Sequence, residues 1–124
     1  MRKITIKSTE NYVGGIVGTN HGTITGCSVS GTIELGGNDA GGIAGVNFST
    51  GIISGCYNMA AVSSTGSKGN YGVGGIAGRS QGTVKGCYNV GNVVRKNSNN
   101  TGYIVGSQTG GTISYCYSNG STLE

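Results

Sequence analysis

Four cysteines and a single histidine are the residues of this 124-residue chain best suited to chemistry. Cys27, Cys56, Cys87 and Cys116 are 29, 31 and 29 residues apart. Tetrahedral zinc sites usually draw on closely paired ligands such as C-x2-C, so this wide spacing argues against zinc. A cysteine nucleophile would need His21 beside one thiol. Two interpretations of the cysteines stay open: a ladder of buried free thiols, or disulfides between neighbouring layers of a repeat.

A glycine-rich stretch raises the possibility of a nucleotide site. Gly72, Gly74 and Ala77 fit G-x-G-x-x-A, a variant of the pattern that holds a dinucleotide pyrophosphate. That pattern requires a helix after the glycines and an acidic residue about 20 positions further on. The sequence after Gly78 reads RSQGTVKGCYN, which is typical of strands and turns, and no acidic residue follows before Glu124. We therefore predict that the chain binds no cofactor.

Carboxylates are too few and too scattered for metal binding or acid–base catalysis. The chain has only Glu10, Glu34, Asp39 and Glu124. The stretch LGGNDAGG (35–42) is faintly similar to the repeats of calcium-binding β-rolls, but the positions equivalent to Asp39 in the other repeats are not acidic. Glycoside hydrolysis would require a pair of carboxylates, which the sequence does not indicate. We predict no catalytic residue, no metal ligand and no enzymatic activity.

Charge and hydropathy narrow the possible partners and location. The formal net charge is +4, and the eight basic residues are scattered, so we predict no nucleic-acid partner. No run of 18 apolar residues exists, and the start MRKITIKSTENY lacks the apolar core of a signal peptide, so this segment is not expected to enter a membrane. We interpret residues 123–124 as a cloning scar and the chain as a piece of a larger secreted protein, located outside the cell or on its surface.

The elements that must position these residues are four repeats. Segments that begin at Gly14, Gly41, Gly74 and Gly102 share the order G-x-I-small-G, then G-T-I-x-G-C, then Y-N-x-G-x-V, with insertions only at the joints. We predict a capping or lead-in strand in residues 1–11 and a single domain in residues 12–122. Within that domain the predicted repeats are 12–40, 41–73, 74–100 and 101–122.

The repeats predict short strands rather than helices, because a glycine falls every three to five residues and each costs roughly 1 kcal/mol in a helix. Four antiparallel hairpins are an alternative. Parallel stacking is favoured because residue type recurs at each repeat position, as expected when equivalent residues lie about 4.8 Å apart. We predict an all-β fold: a right-handed parallel β-helix or β-solenoid of about four coils, with three short strands per coil.

Stacking of equivalent residues predicts ladders of inward side chains. The first predicted ladder is aliphatic and consists of Ile16, Ile43, Ile76 and Ile104. The second is also aliphatic and consists of Ile24, Ile53, Val84 and Ile113. The four cysteines form the third. Glycines at two recurring offsets predict sharp corners, since glycine reaches positive φ without a Cβ penalty; they are Gly18, Gly45, Gly78 and Gly106, then Gly26, Gly55 and Gly86. A corner at Gly26 would allow Ile24 and Cys27 to point inward together.

Tyrosine is the most suggestive surface feature. Tyr57, Tyr88 and Tyr117 each follow a cysteine, so they are predicted to point outward in a vertical row. Such a row either stabilises neighbouring coils through cross-strand pairs or binds a sugar or a protein.

Two further sets of polar residues have structural interpretations. Asn58 and Asn89, continued by Ser118, predict an amide ladder at a corner. We interpret five basic residues as solvated surface charges that also protect exposed strand edges; these are Lys68, Arg79, Lys85, Arg95 and Lys96.

The repeat resembles the GLUG motif, a short glycine-rich repeat of bacterial surface and secreted proteins, including large immunoglobulin A peptidases and adhesin-like proteins. The resemblance is carried by GGIVG (14–18), GGIAG (41–45) and GGIAG (74–78), each followed by a G-T-I-x-G-C-type run. The fourth copy departs from it at Tyr103 and Tyr115. The resemblance implies a β-helix-like repeat at a cell surface. It does not imply an activity, because catalysis in the peptidases belongs to a separate zinc domain.

Two functions follow as hypotheses. The first is a structural spacer whose partners are the neighbouring repeats and domains of its parent protein. The second is an adhesin-like module that recognises host glycan or protein through one sheet face and its tyrosine row.

Overall fold

A computed structural model describes residues 3–8, 12–36, 39–65, 72–95, 101–118 and 122–123. In these ranges every regular element is a β-strand, and the strands pair in parallel. The chain winds around one core in four coils, with about three turns between the first and the last crossing of each four-stranded face. The predicted all-β parallel solenoid is confirmed.

The strands follow one another coil by coil. A first strand, β1 (Lys3–Ser8), precedes coil 1, which contains β2 (Tyr12–Gly14), β3 (Val17–Asn20), β4 (Thr23–Thr25) and β5 (Ser28–Leu35). Coil 2 contains β6 (Asp39–Gly41), β7 (Ala44–Asn47), β8 (Ile52–Ser54), β9 (Tyr57–Asn58) and β10 (Ala61–Ser64). Coil 3 contains β11 (Val73–Gly74), β12 (Ala77–Ser80), β13 (Thr83–Lys85), β14 (Tyr88–Asn89) and β15 (Val93–Arg95). Coil 4 contains β16 (Thr101–Gly102), β17 (Val105–Gln108), β18 (Thr112–Ser114), β19 (Tyr117–Ser118) and β20 (Thr122–Leu123).

Equivalent strands of successive coils form the sheets. Three sheets have four strands each, in the orders β16-β11-β6-β2, β17-β12-β7-β3 and β18-β13-β8-β4. The fourth sheet has eight strands, because β5 pairs along its first half with β9 and along its second half with β10. β1 also pairs with β5, from Ser30 to Leu35, so it lies where the last strand of a preceding coil would lie.

The coils are divided more finely than the predicted three strands. The run centred on Ile76, for example, forms two strands, β11 and β12, with a bend at Gly75 and Ile76. In coils 1 to 3 a glycine pair lies where the chain turns before the isoleucine and enters a new sheet, and in coil 4 Gly102 and Tyr103 lie at the same turn. Coils 2 to 4 therefore have five strands each around the core, and in coil 1 the long strand β5 takes the place of the last two.

The glycines predicted at corners separate into two groups. Gly26, Gly55 and Gly86 have φ values of 64°, 63° and 61°, so these corners are confirmed. The prediction was wrong for the other set, which lies inside strands; its members are Gly18, Gly45, Gly78 and Gly106. Their role is close approach, because a Cβ at Gly45 would lie 2.6 Å from the backbone nitrogen of Val13.

The core is best covered in the two middle coils. The middle members of both aliphatic ladders are fully buried, and those of the cysteine ladder are 1% exposed; they are Ile43, Ile76, Ile53, Val84, Cys56 and Cys87. In the end coils Ile16 is 46% and Ile113 is 36% exposed, whereas Ile24, Ile104, Cys27 and Cys116 are half-buried. Each coil therefore relies on its neighbours to cover its inward side chains, as in other solenoids.

Candidate functional site

The outward tyrosine row begins with the local path of the chain after each left-handed glycine. Gly55 turns the backbone so that Cys56 enters the core, and the next residue, Tyr57, then lies on the outer surface of β9. Asn58 returns to the interior, where it is fully buried. Coil 3 repeats this sequence with Gly86, Cys87, Tyr88 and Asn89, because side chains alternate along an extended strand.

Strand register places the three tyrosines directly above one another. Tyr88 pairs with Tyr57 on one side and with Tyr117 on the other. The ring centroids of Tyr57 and Tyr88 are 4.9 Å apart with planes at 5°, and those of Tyr88 and Tyr117 are 5.1 Å apart at 9°. We refer to Tyr57, Tyr88 and Tyr117 as the tyrosine stack.

This geometry limits what the tyrosine stack can bind. Tyr88 has both ring faces covered by its neighbours, and the inner faces of the other two rings are covered as well. The ring of Tyr117, which is 61% exposed, keeps its outer face. A sugar that stacks on an aromatic face could use the outer face of a ring at the end of the stack, such as Tyr117, whereas any longer partner would have to contact the edges of the rings.

Apolar side chains extend this surface. Met59 and Val90 lie two residues beyond Tyr57 and Tyr88 and are 43% and 36% exposed. With the tyrosine stack they form one apolar patch on the outside of a corner. An exposed patch of this kind is typical of an interaction surface.

Buried amides fix the backbone beneath the tyrosine stack. The Nδ2 of Asn58 donates to the Oδ1 of Asn89 at 2.8 Å, so the predicted amide ladder is confirmed for this pair. Each amide also braces its own corner: Asn58 donates to the Ala60 carbonyl at 2.9 Å, and its Oδ1 accepts from the Ala60 amide at 3.0 Å. Ser118 continues the position differently, donating to the backbone oxygen of Asn89 at 3.0 Å.

A second amide ladder was missed in the sequence. The Nδ2 of Asn20 donates to the Oδ1 of Asn47 at 2.9 Å, and the Nδ2 of Asn47 lies 3.3 Å from the Oγ of Ser80. Its signal was the recurrence of Asn, Asn and Ser two residues after the glycines of the first strand run. As with Asn58 and Asn89, a polar residue that recurs at one repeat position predicts a ladder of side-chain hydrogen bonds between coils.

The cysteines are placed as a ladder of free thiols, which decides between the two open interpretations. Their sulfurs lie 3.3–3.5 Å from the carbonyl oxygens of the residues two positions earlier in the chain. Burial raises the pKa of the Cys56 thiol, and it raises the pKa of Cys87 to about 12. A thiol that holds its proton so firmly is a poor nucleophile and a poor metal ligand at neutral pH.

Asp39 and Arg79 form an ion pair that the sequence did not suggest. Asp39 is fully buried, and its Oδ1 accepts from the backbone amide of Gly72 at 2.7 Å. The Nη2 of Arg79 lies 3.4 Å from the Oδ2 of Asp39, and the Arg79 side chain is only 18% exposed. Interpreting Arg79 as a solvated surface charge was therefore wrong, because it neutralises a buried carboxylate in the preceding coil. Lys85 is exposed, whereas Lys68, Lys96 and the side chain of Arg95 lie outside the described residues.

The remaining candidates for chemistry occupy structural positions. Gly72, Gly74 and Ala77 are buried beneath neighbouring coils, where no pyrophosphate could approach their backbone. His21 stacks on Phe48 with ring centroids 4.6 Å apart and lies on the surface, away from the buried thiols. The described part of the chain contains no group of three or more His, Cys, Asp or Glu side chains that could hold a metal ion. In the same part there is no helix long and apolar enough to cross a membrane.

The fold and its ladders define the protein as a parallel β-solenoid built from stacked repeats. Residues 9–34 match the family model of the GLUG motif. The first coil therefore carries a GLUG motif, and the other three repeats stack on it in register. No curated protein and no solved structure matches the chain.

Proposed function

We propose that this solenoid is a non-catalytic spacer within a larger cell-surface or secreted protein. The observation that carries the proposal is the continuous stack. One aligned column of aliphatic residues continues the core through all four coils, fully buried in the two middle coils and half-buried in the end coils: Val17, Ala44, Ala77 and Val105. Hydrogen-bonded sheets line the sides of the core. Each coil is fixed to its neighbours on several faces, so the unit holds its two ends at a set distance. The raised pKa values of the buried Cys56 and Cys87 thiols also support a structural role over a catalytic one.

A rigid spacer must tumble as one body. Residual dipolar couplings measured on backbone amides of coils 1 to 4 should fit a single alignment tensor, with order parameters of about 0.85 along the strands. Separate tensors for the first and last coils, or order parameters under about 0.6 at the joints, would rule out the spacer.

A second function, an adhesin-like module for host glycan or protein, is favoured by the apolar patch that contains the tyrosine stack. The covered ring faces make a protein or a glycan held along the ring edges the better fit. The test is the triple variant Tyr57→Ser, Tyr88→Ser, Tyr117→Ser on arrays of host glycans and surface proteins. Tyr115→Ser is the control, because Tyr115 is 91% exposed and lies outside the stack.

The two functions give different results in this experiment. If the patch binds a partner, the triple variant folds normally and loses a signal that the wild type and Tyr115→Ser retain. If the tyrosines only stabilise neighbouring coils, no array feature depends on them and the triple variant is less stable. Cross-strand aromatic pairs contribute roughly 0.2–1 kcal/mol each, so the second result predicts a loss of about 1 kcal/mol.

A further inference from the structure

One position of the repeat faces the coil above it. The second glycine of each pair donates its amide hydrogen to the carbonyl oxygen of the equivalent residue in the next coil. Gly15 donates to Gly42 at 3.0 Å, Gly42 to Gly75 at 3.0 Å, and Gly75 to Tyr103 at 3.1 Å. The coil above therefore places a carbonyl oxygen directly over this position.

No side chain fits at this position in coils 1 to 3. A Cβ on Gly15, Gly42 or Gly75 would approach the same carbonyl oxygen of the next coil to under 3.0 Å, a distance that real Cβ atoms do not show. The obstacle is backbone, which cannot rotate away as a side chain could. The glycine is thus required by the coil that stacks above it.

Coil 4 has Tyr103 at this position, and its strands β16, β17 and β18 are at the ends of their sheets. The corner is otherwise alike, since Gly102 before it pairs with Gly74. A further coil in the same register would direct its carbonyl oxygen at the Cβ of Tyr103. The Cβ of Tyr103 is therefore incompatible with the way coils 2 to 4 stack on the coils below them, which requires glycine at this position.

A second change in coil 4 accompanies Tyr103. The Cβ positions of Gly42 and Gly75 also overlap the buried amides of Asn58 and Asn89 in their own coils. At the equivalent position coil 4 has Ser118, which pairs with Asn89. The shorter serine leaves room for the Cβ of Tyr103, so both members of the glycine–asparagine contact are replaced together.

Tyr115 provides an internal contrast. It replaces the left-handed glycine of the lower coils and keeps a positive φ of 53°. The atom nearest to a Cβ at Gly86 would be the backbone nitrogen of Gly55, 3.8 Å away, so this corner has space for a side chain. Tyr115 costs backbone strain but obstructs no neighbouring coil.

We propose that Tyr103 closes the upper end of the solenoid to any further coil of this repeat, whether from the same chain or from a second copy. A further coil of the same repeat cannot stack on this end, so the exposed strand edges of coil 4 cannot pair end to end with a second copy. The inference holds whether the solenoid acts as a spacer or as a binding module.

The test moves the closing pair into coil 3 of the full chain. In the double variant Gly75→Tyr, Asn89→Ser, serine removes the overlap inside coil 3 and leaves only the overlap with coil 4. Hydrogen exchange should then be at least about 100-fold faster for residues 101–118, while coils 1 and 2 keep their protection. The controls are Asn89→Ser alone and Gly86→Tyr, Asn89→Ser, both of which should keep coil 4 protected.

Retained protection of coil 4 in the double variant would overturn the proposal. Loss of protection in either control would overturn it as well, because the amide ladder or any added bulk would then decide stacking. The reverse experiment repeats residues 101–122 after residue 122. The added coil should become protected when the inner Tyr103 is changed to Gly, but not when it is changed to Ala, which retains the Cβ; equal protection in both would contradict the proposal.

Discussion

Glycine serves two distinct needs in this solenoid, and replacing it by alanine at three positions should separate them, since the third position has neither need. Gly42 lies under a carbonyl oxygen of the next coil, Gly26 has a φ of 64° with open space around it, and Gly22 has neither constraint. The three substitutions add the same methyl group. Their different effects on the free energy of unfolding therefore report the surroundings alone.

The expected magnitudes follow from the contacts. In Gly42→Ala the new Cβ overlaps the Gly75 oxygen and the Asn58 amide, so coils 2 and 3 must separate locally and lose the 3.0 Å hydrogen bond between Gly42 and Gly75. Overpacking costs about 1–3 kcal/mol and a lost buried hydrogen bond about 1 kcal/mol more, for a total of roughly 3 kcal/mol.

The other two substitutions are milder. Gly26→Ala should cost about 1–2 kcal/mol, the penalty for a Cβ in the left-handed region. Gly22→Ala has nothing within 4 Å of the new Cβ. It should stabilise the protein by about 0.4–1 kcal/mol, because alanine lowers the entropy of the unfolded chain.

Urea denaturation followed by circular dichroism and tyrosine fluorescence measures all three, since the chain has seven tyrosines and no tryptophan. The reasoning requires the order Gly22→Ala, wild type, Gly26→Ala, Gly42→Ala from most to least stable. If Gly42→Ala were as stable as Gly26→Ala, close approach between coils would not be the constraint, and the account of the repeated glycine pair would fail.

Three further predictions concern the buried polar groups. Arg79→Met should lower the free energy of unfolding by about 3–5 kcal/mol in a urea titration, because the buried Asp39 carboxylate loses this guanidinium. The double variant Asp39→Asn, Arg79→Met should recover part of that stability, because the buried charge is removed as well. Burial raises the pKa of the Cys87 thiol from 9.0 to about 12, so the unfolded state loses this proton at a lower pH than the folded state does. The free energy of unfolding should therefore fall between those pH values, by up to about 1.4 kcal/mol per pH unit. In Cys87→Ala this contribution to the pH dependence should be absent when denaturation is measured across the same pH range. Asn58→Asp removes the donor to Asn89 and buries a charge, so it should lower stability by at least about 3 kcal/mol at pH 7 and by clearly less at pH 3, measured by thermal melts.

Much of this architecture could be predicted because repetition exposes it. The near-constant spacing of the cysteines and the recurrence of Ile43 and Ile76 indicate parallel stacking, since only that arrangement places equivalents side by side. The left-handed glycines before Cys56 and Cys87 are visible for the same reason. A residue type that recurs once per coil can be recognised from several positions of the sequence at once.

Features that occur once were not predictable in this way. Asp39 and Arg79 are 40 residues apart and lie in different coils, so no ladder marks their contact. The glycines inside strands were misassigned for another reason: a recurring glycine is expected both where φ is positive and where a neighbouring backbone approaches closely. The sequence pattern is identical in the two cases, and only the position of the next coil separates them.

In the tyrosine stack, the spacing between coils both stabilises the stacked strands and limits what the rings can bind. Its rings are held about 5 Å apart because the strands beneath them are, and at that distance each ring covers the face of the next. A row of tyrosines one coil apart therefore cannot offer a series of free faces to a glycan, however exposed it looks in sequence. Recognition by this surface must use the edges of the rings, the outer face of a ring at either end of the stack, or the neighbouring Met59 and Val90. Partners that contact an extended apolar edge suit this surface better than short sugars that need a flat platform.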